Sequence, residues 1–494
     1  MSTEQELKLF YDTLSELYRL ECIAALLGWD QQVYMPANAA KGRAGQAEYI
    51  ARLLHQKMTD PKFAQTVDHL YEQIDTLSDA DRVNVREIKR MLDIQRKLPE
   101  DFVSEMTRVE TMAYSEWVKA RRANDFDAIK PLLKKLVELC RKKCDLIGYK
   151  EHPYDALLDL YDPGSTLSFV KPLLLNLAGQ LRDIIPPISK NFEAQKPLCG
   201  RYDISVQDKL CRRVAQDMGF DFQSGRFDTT PHPFMTTIGP SDLRITTRYD
   251  ESDFIFSLYS TIHETGHALY EQGLPTEWAG TPMGSAVSLS IHESQSRMWE
   301  NLIGRSKAFC IYLSKVVKEF FPDESMDADK LWNVVNRVGP SLIRTEADEV
   351  TYSQHIVIRM LLEEQLITGE LTVSDLPGAW NDMYENYLGI RPTDYKDGVM
   401  QDVHWYSGSI GYFPTYALGN LYNAMMMEAA KTDMPDMADK IERGEFGDML
   451  DWLRGKVHKR GMQLRGRELI RDITGRDLSA QPFVDYLKRK FLAE

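Results

Sequence analysis

No stretch of about 18 uninterrupted apolar residues occurs in the 494-residue chain, so no membrane span is expected. The opening residues, MSTEQELKLFYDTLSEL, lack the basic start and apolar core of a signal peptide. The closing KRKFLAE matches no retention or peroxisomal signal. An excess of positive charge is also missing: 60 Lys and Arg face 74 Asp and Glu, for a net charge of −14. Its few basic clusters are dispersed, which argues against a nucleic-acid partner. The acidic balance favours solubility and says little about substrate. Six cysteines (Cys22, Cys140, Cys144, Cys199, Cys211, Cys310) form no disulfide framework, so free thiols in a reducing, cytoplasmic setting are expected. Solenoid repeats and low-complexity linkers are absent as well.

What is present suits a large folded body. Hydrophobic residues make up 43% of the chain and charged residues 27%, which excludes extensive disorder. Residues 1–224 read as helix after helix, with apolar residues at three- and four-residue spacing in the runs at 7–30, 51–58, 103–124 and 129–148. Breaks fall at Pro61, Pro99, Gly148, Pro153 and Pro163-Gly164. These helices are expected to form an N-terminal lobe or lid. The composition then shifts. Around 225–250 a Thr-rich alternating stretch with a turn at Gly239-Pro240-Ser241-Asp242 predicts a small β-hairpin or sheet. Helical patterns resume and continue to the end. The fold class is therefore mainly α with one small β-sheet.

Just after that sheet stands His263-Glu264-Thr265-Gly266-His267. Ile255, Leu258, Ile262 and Leu269 give the flanks helical spacing, and Gly273 is a natural stop. On one helix His263 and His267 are i and i+4 and share a face, so two imidazoles can bind one cation. Glu264 points about 100° away around the helix, where it can reach a metal-activated water as general base.

A catalytic zinc takes three protein ligands and keeps one position open. A third histidine six residues on is excluded, because that position is Gly273. Glu293, on the following helical run, is the expected third ligand. Its neighbour His292 competes for the role, and Glu271, Glu277 and Glu300 are weaker alternatives. The position four residues after Glu293, where thermolysin-like enzymes carry an acid, is Arg297. The carboxylate that orients a ligand histidine must then come from elsewhere, with Asp348 and Asp242 as candidates.

Six separated motifs together resemble the carboxypeptidase Taq family of metallocarboxypeptidases. They are His232-Pro233-Phe234, Asp242 to Thr246, His263 to His267, His292 to Gln295, Ile343 to Asp348, and Gly398 to Trp405, all in family order. The resemblance implies one metallocarboxypeptidase domain over 1–494, with 225–494 as its catalytic part. It implies two helical lobes around a deep groove, as in neurolysin and angiotensin-converting enzyme. It also implies release of single C-terminal residues with broad tolerance, one zinc or cobalt ion per chain, peptide substrates and a homodimer.

A carboxypeptidase needs a cation for the substrate's terminal carboxylate, and a guanidinium fork matches its two oxygens. Arg344, within a motif the family shares, is the first choice, with pairing to Glu346 or Asp348 as the alternative. Arg244 follows, unless it simply pairs with Asp242, and Arg391 comes third. His404 is expected to contact substrate or oxyanion. Pro414 can start a helix, leaving Tyr412 at its mouth and Tyr416 on its first turn, and either phenol could stabilise the oxyanion. The sheet edge, with His232 nearby, could take the substrate backbone as an added strand. An oligopeptidase of the same superfamily and an inactive helical scaffold are the rival readings.

Overall fold

The computed structural model describes residues 1–190, 198, 200–324 and 326–492; Cys199 lies outside them. The long helical runs form where the apolar periodicity puts them: Thr3–Val33, Ala40–Met58, Glu100–Ala123 and Phe126–Ile147. The predicted breaks have physical roles. Pro61 occupies the first position of the helix Pro61–Glu72, Pro99 precedes Glu100–Ala123, and Gly148 stops its helix at φ 81°. Cys22, Cys140, Cys144, Cys211 and Cys310 are all free thiols.

Three strands, β1 (Gly225–Thr229), β2 (Met235–Gly239) and β3 (Asp242–Thr247), make a sheet in the order β1-β3-β2. β2 and β3 are the antiparallel hairpin around the expected turn, and β1 adds in parallel on the far side of β3. Leu243 and Ile245 of β3 are fully buried, and this strand lies against the helix Phe254–Gly273. The sheet is thus the floor on which the histidine helix rests.

Buried apolar residues fall into two clusters. A small one joins Phe10, Leu14 and Leu17 to Phe63, Val67 and Leu92. The large one begins at Phe102 and takes in nearly all the remaining core. A cavity of 390 Å³ lies between the first helix, at Leu17, Tyr18 and Glu21, and the sheet and histidine helix, at Thr237, Leu243 and Glu271.

The helix Phe254–Gly273 starts on Asp253, whose carboxylate accepts from the backbone N–H groups of Ile255 and Phe256. The helix Leu289–Arg297 starts on Ser288, whose hydroxyl accepts from the N–H of Ile291, and runs on into a π-helical turn at Met298–Ile303. The two helices touch at Gly266. A Cβ there would stand 2.7 Å from Ser296 Cα, so only glycine permits the approach. Gly419, on the helix Pro414–Asp433, allows a close approach on the other side, where a Cβ would meet Glu293 Cγ at a tight 3.0 Å. Gly266→Ala is therefore expected to cost about 1–3 kcal/mol by overpacking backbone that cannot move aside. Thermal unfolding should show a lower Tm than wild type; an unchanged Tm would mean that the two helices have room to part.

Candidate metal centre and its surroundings

His263 and His267 lie on one face of their helix, and Glu271 continues the stripe one turn on. On the facing helix Glu293, Arg297 and Glu300 form a second stripe. The partners run in opposite order. His263 Nδ1 hydrogen-bonds Glu300 Oε2 at 2.8 Å, while His267 Nδ1 meets His292 Nδ1 at 2.6 Å and His292 Nε2 meets Glu271 Oε1 at 3.0 Å. The stripes are therefore antiparallel, and both Nε2 atoms face Glu293. Glu293 Oε2 is 3.5 Å from His267 Nε2 and 3.8 Å from His263 Nε2.

Those separations fit a metal. Donors about 2.0–2.1 Å from a tetrahedral ion stand about 3.4 Å apart. One donor atom from each of His263, His267 and Glu293 lies within 4.8 Å of the other two, and no other such group occurs among the described residues. Two neutral imidazoles with one carboxylate are also the donor set of a hydrolytic zinc site. Glu277, an early alternative, lies in a short 3₁₀ turn beyond the histidine helix and is not part of this group.

The charges here are tightly balanced. Burial opposes ionisation of Glu293, but His263, His267 and Arg297 hold its carboxyl well below the usual carboxylate range. Burial pushes the Glu264 carboxyl up to about 7, with the charges of Glu293 and Glu300 adding to the effect. Burial takes His267 down to about 4, whereas Glu293 and Glu300 lift His263 to about 9 against burial.

Two carboxylates orient the two candidate ligand histidines, and neither is the expected Asp348 or Asp242. Asp348 instead accepts from the N–H groups of Val350 and Thr351, and Asp242 is the partner of Arg244. Glu300 does the work for His263. For His267 the link is indirect: with Nδ1–H of His267 donating to His292 Nδ1, His292 must carry its proton on Nε2, which donates to Glu271. Glu271 is fixed in turn by the hydroxyl of Thr237 on β2 at 3.0 Å. His292 thus supports His267 and is not itself in the candidate metal group. The signal for Glu300 was its spacing of seven from Glu293, which returns a helix to the same face.

A second cluster adjoins the first. His404 Nε2 is 3.2 Å from the Tyr416 hydroxyl, and the Tyr412 ring centroid lies 5.3 Å from His404 and 5.2 Å from Tyr416. Burial pushes His404 down to about 3, so its imidazole is neutral at pH 7, and raises the Tyr412 phenol to about 12. The Glu293 charge acts on both phenols. Tyr352, which the sequence did not single out, joins the clusters: its ring faces the Arg297 guanidinium at 3.8 Å and lies 6.3 Å from the Tyr416 ring.

The expected substrate residues are scattered. Arg344 is buried against the Tyr416 ring, its Nε and Nη2 on Asp402 Oδ1 at 2.9 and 2.8 Å and its Nη1 on the Tyr352 hydroxyl at 3.0 Å. Its partner is Asp402, where the sequence suggested Glu346 or Asp348. Arg244 makes a two-pronged pair with Asp242, both contacts at 2.8 Å, and stacks on Trp29. His232 is exposed in the turn before β2, its carbonyl accepting from the Thr230 hydroxyl. Arg391 is exposed and pairs with Asp382 and Glu385.

With this geometry in view the comparisons are decisive. Residues 10–491 match the family described as carboxypeptidase Taq (M32) metallopeptidase. The chain belongs to the carboxypeptidase Taq family. It is 42% identical to thermostable carboxypeptidase 1 of Thermus thermophilus over 98% of both chains. It is 37% identical to carboxypeptidase 1 of Bacillus subtilis over 98% of this chain and 97% of that one. Among solved structures it resembles the M32 carboxypeptidase of Deinococcus radiodurans (TM-score 0.94, 37% identity, 99% of each chain covered). It likewise resembles the Pyrococcus furiosus carboxypeptidase (TM-score 0.94, 36% identity, covering 98% of this chain and 99% of that one). The chain is thus a peptide hydrolase of the metallocarboxypeptidase class, and membership of this family implies a divalent metal. No helix among the described residues is long and apolar enough to cross a membrane.

Glu300→Gln keeps the shape beside His263 but removes the charge that orients it. Metal affinity, read by competition with a chelator, should fall about 10- to 100-fold. Wild-type affinity in this variant would show that His263 needs no such partner.

Proposed function

We propose that the protein removes single residues from peptide C-termini with broad side-chain tolerance, using one zinc ion, for which cobalt can substitute, held by His263, His267 and Glu293. The observation that carries this reading is the single Glu293 oxygen facing both imidazole Nε2 atoms at 3.5 and 3.8 Å. A divalent ion there would polarise the scissile carbonyl and acidify a water.

The chain's own groups do the rest. Glu264 accepts the proton of the attacking water and hands it to the departing amine; a carboxyl pushed up to about 7 suits both halves of that task. Tyr412 and Tyr416, protonated at working pH, and neutral His404 supply donors where the carbonyl oxygen gains charge. Arg344 anchors the substrate carboxylate. Asp402 and Tyr352 take three of its five N–H groups and leave one on each terminal nitrogen. The peptide backbone adds as a strand at the sheet edge, with His232 before the edge strand β2 and Arg244 on the central strand β3 as further substrate contacts. Residues 1–224 serve as the lobe that closes over it, the protein works as a homodimer, and it resides in the cytoplasm.

Two measurements test this. Glu264→Gln should keep its metal and lose about a hundred- to ten-thousand-fold in kcat; near-normal turnover would remove Glu264 from the chemistry. In mass spectra of digests, a free-acid peptide should shorten one residue at a time while its C-terminal amide is spared, and Arg344→Lys should narrow that preference by raising KM for the acid. Equal cleavage of acid and amide would favour an oligopeptidase.

A further inference from the structure

Glu293 has two carboxylate oxygens, and they have different partners. Oε2 faces the imidazoles and is 3.2 Å from the Ser296 hydroxyl, whereas Oε1 accepts from Arg297 Nε–H at 2.9 Å. Arg297 sits one turn along the same helix and is buried. Its guanidinium lies over the Tyr352 ring, with Cζ 3.8 Å from the centroid. Its Nη1 is 3.6 Å from Glu300 Oε2, the oxygen that holds His263. A rigid planar cation is thus wedged between an aromatic face and two carboxylates, and it cannot turn away without giving up all three contacts.

A carboxylate can offer a divalent ion one oxygen or two. The choice matters in a hydrolytic site, because each extra protein donor takes a position that water or substrate needs. We propose that Arg297 is a positioning residue that fixes Glu293 as a one-oxygen ligand: by engaging Oε1 in a charge-assisted hydrogen bond, it leaves Oε2 alone to face the ion and keeps the remaining positions open. Without Arg297, Oε1 is free to turn onto the same ion. The protein then supplies four donors where it supplied three, and with the water retained the coordination number rises and crowds the positions that water and substrate need. This accounts for a cation at the place where an orienting acid was expected from thermolysin-like enzymes. That acid's task has passed to Glu300, three residues further on the same face.

The inference rests on the metallopeptidase reading, and the test separates the two. The full-length chain is loaded with Co(II), whose visible absorption per bound ion drops as coordination number rises. Wild type should give the intense spectrum of a low-coordinate ion, and His267→Ala should abolish it. Should wild type give only the weak spectrum of aqueous cobalt, the metal reading itself fails and the Arg297 role with it. Given a wild-type signal, Arg297→Met, similar in bulk and uncharged, should still bind cobalt but lose absorption intensity. Arg297→Gln, which keeps a polar group in the pocket but is too short to replace the fork, should lose intensity in the same sense. A wild-type spectrum in whichever variant folds overturns the proposal, whatever happens to Tm or turnover, because a purely structural arginine would not change the coordination of the ion.

Discussion

Three glutamates, Glu264 and Glu293 buried and Glu300 half-buried, crowd the same contact between two helices, and the neighbouring features answer that concentration of negative charge. Carboxylates out of water are tolerated only when paired and hydrogen-bonded. Arg297 lies on Glu293 and beside Glu300, and Arg305 reaches the other Glu300 oxygen at 3.3 Å. The two histidines turn their Nε2 atoms to the remaining oxygen, Glu293 Oε2. A divalent cation is the natural complement of such a site. Because the glutamates come from two antiparallel helices, charge balance and helix packing are one constraint, which is why glycine is needed at Gly266 and a small residue suits position 419.

The neighbouring half of the site is built on a similar rule with the signs exchanged. Asp402 lies between Arg344 and Arg359, and Arg359 is fully buried. The pair of cations holds the Asp402 carboxyl well below its ordinary range, although burial opposes this, and helps to keep His404 neutral. Glu363 fastens the intervening loop, accepting from Trp405 Nε1 at 2.7 Å and from the Gly411 N–H at 3.0 Å. His404 and Tyr412, at the ends of that loop, are thereby presented by a fixed frame. Preorganisation of this kind lets donors act on developing charge without first rearranging.

Much of this was legible in the sequence, for reasons that can be named. Helices with one apolar stripe announce themselves locally, and so did the pentapeptide, because an i, i+4 pair of histidines needs no distant information. Glu293 was legible as an acid on the next helix. What the chain could not reveal is pairing across long separations. Arg344 with Asp402, Tyr352 under Arg297, and β1 alongside β3 depend on which surfaces meet. The case of Glu300 is intermediate. Its spacing from Glu293 put it on the ligand face, but weighing it as a rival ligand hid its task as the partner of His263.

The central claim is that the two stripes converge on one ion. Crystals of the metal-loaded protein, recorded at the absorption edge of the bound metal, test it most directly. The account predicts a single anomalous peak per chain, within bonding distance of His263 Nε2, His267 Nε2 and Glu293 Oε2. A peak at any other group of side chains, or none in a protein that hydrolyses peptides, would contradict it.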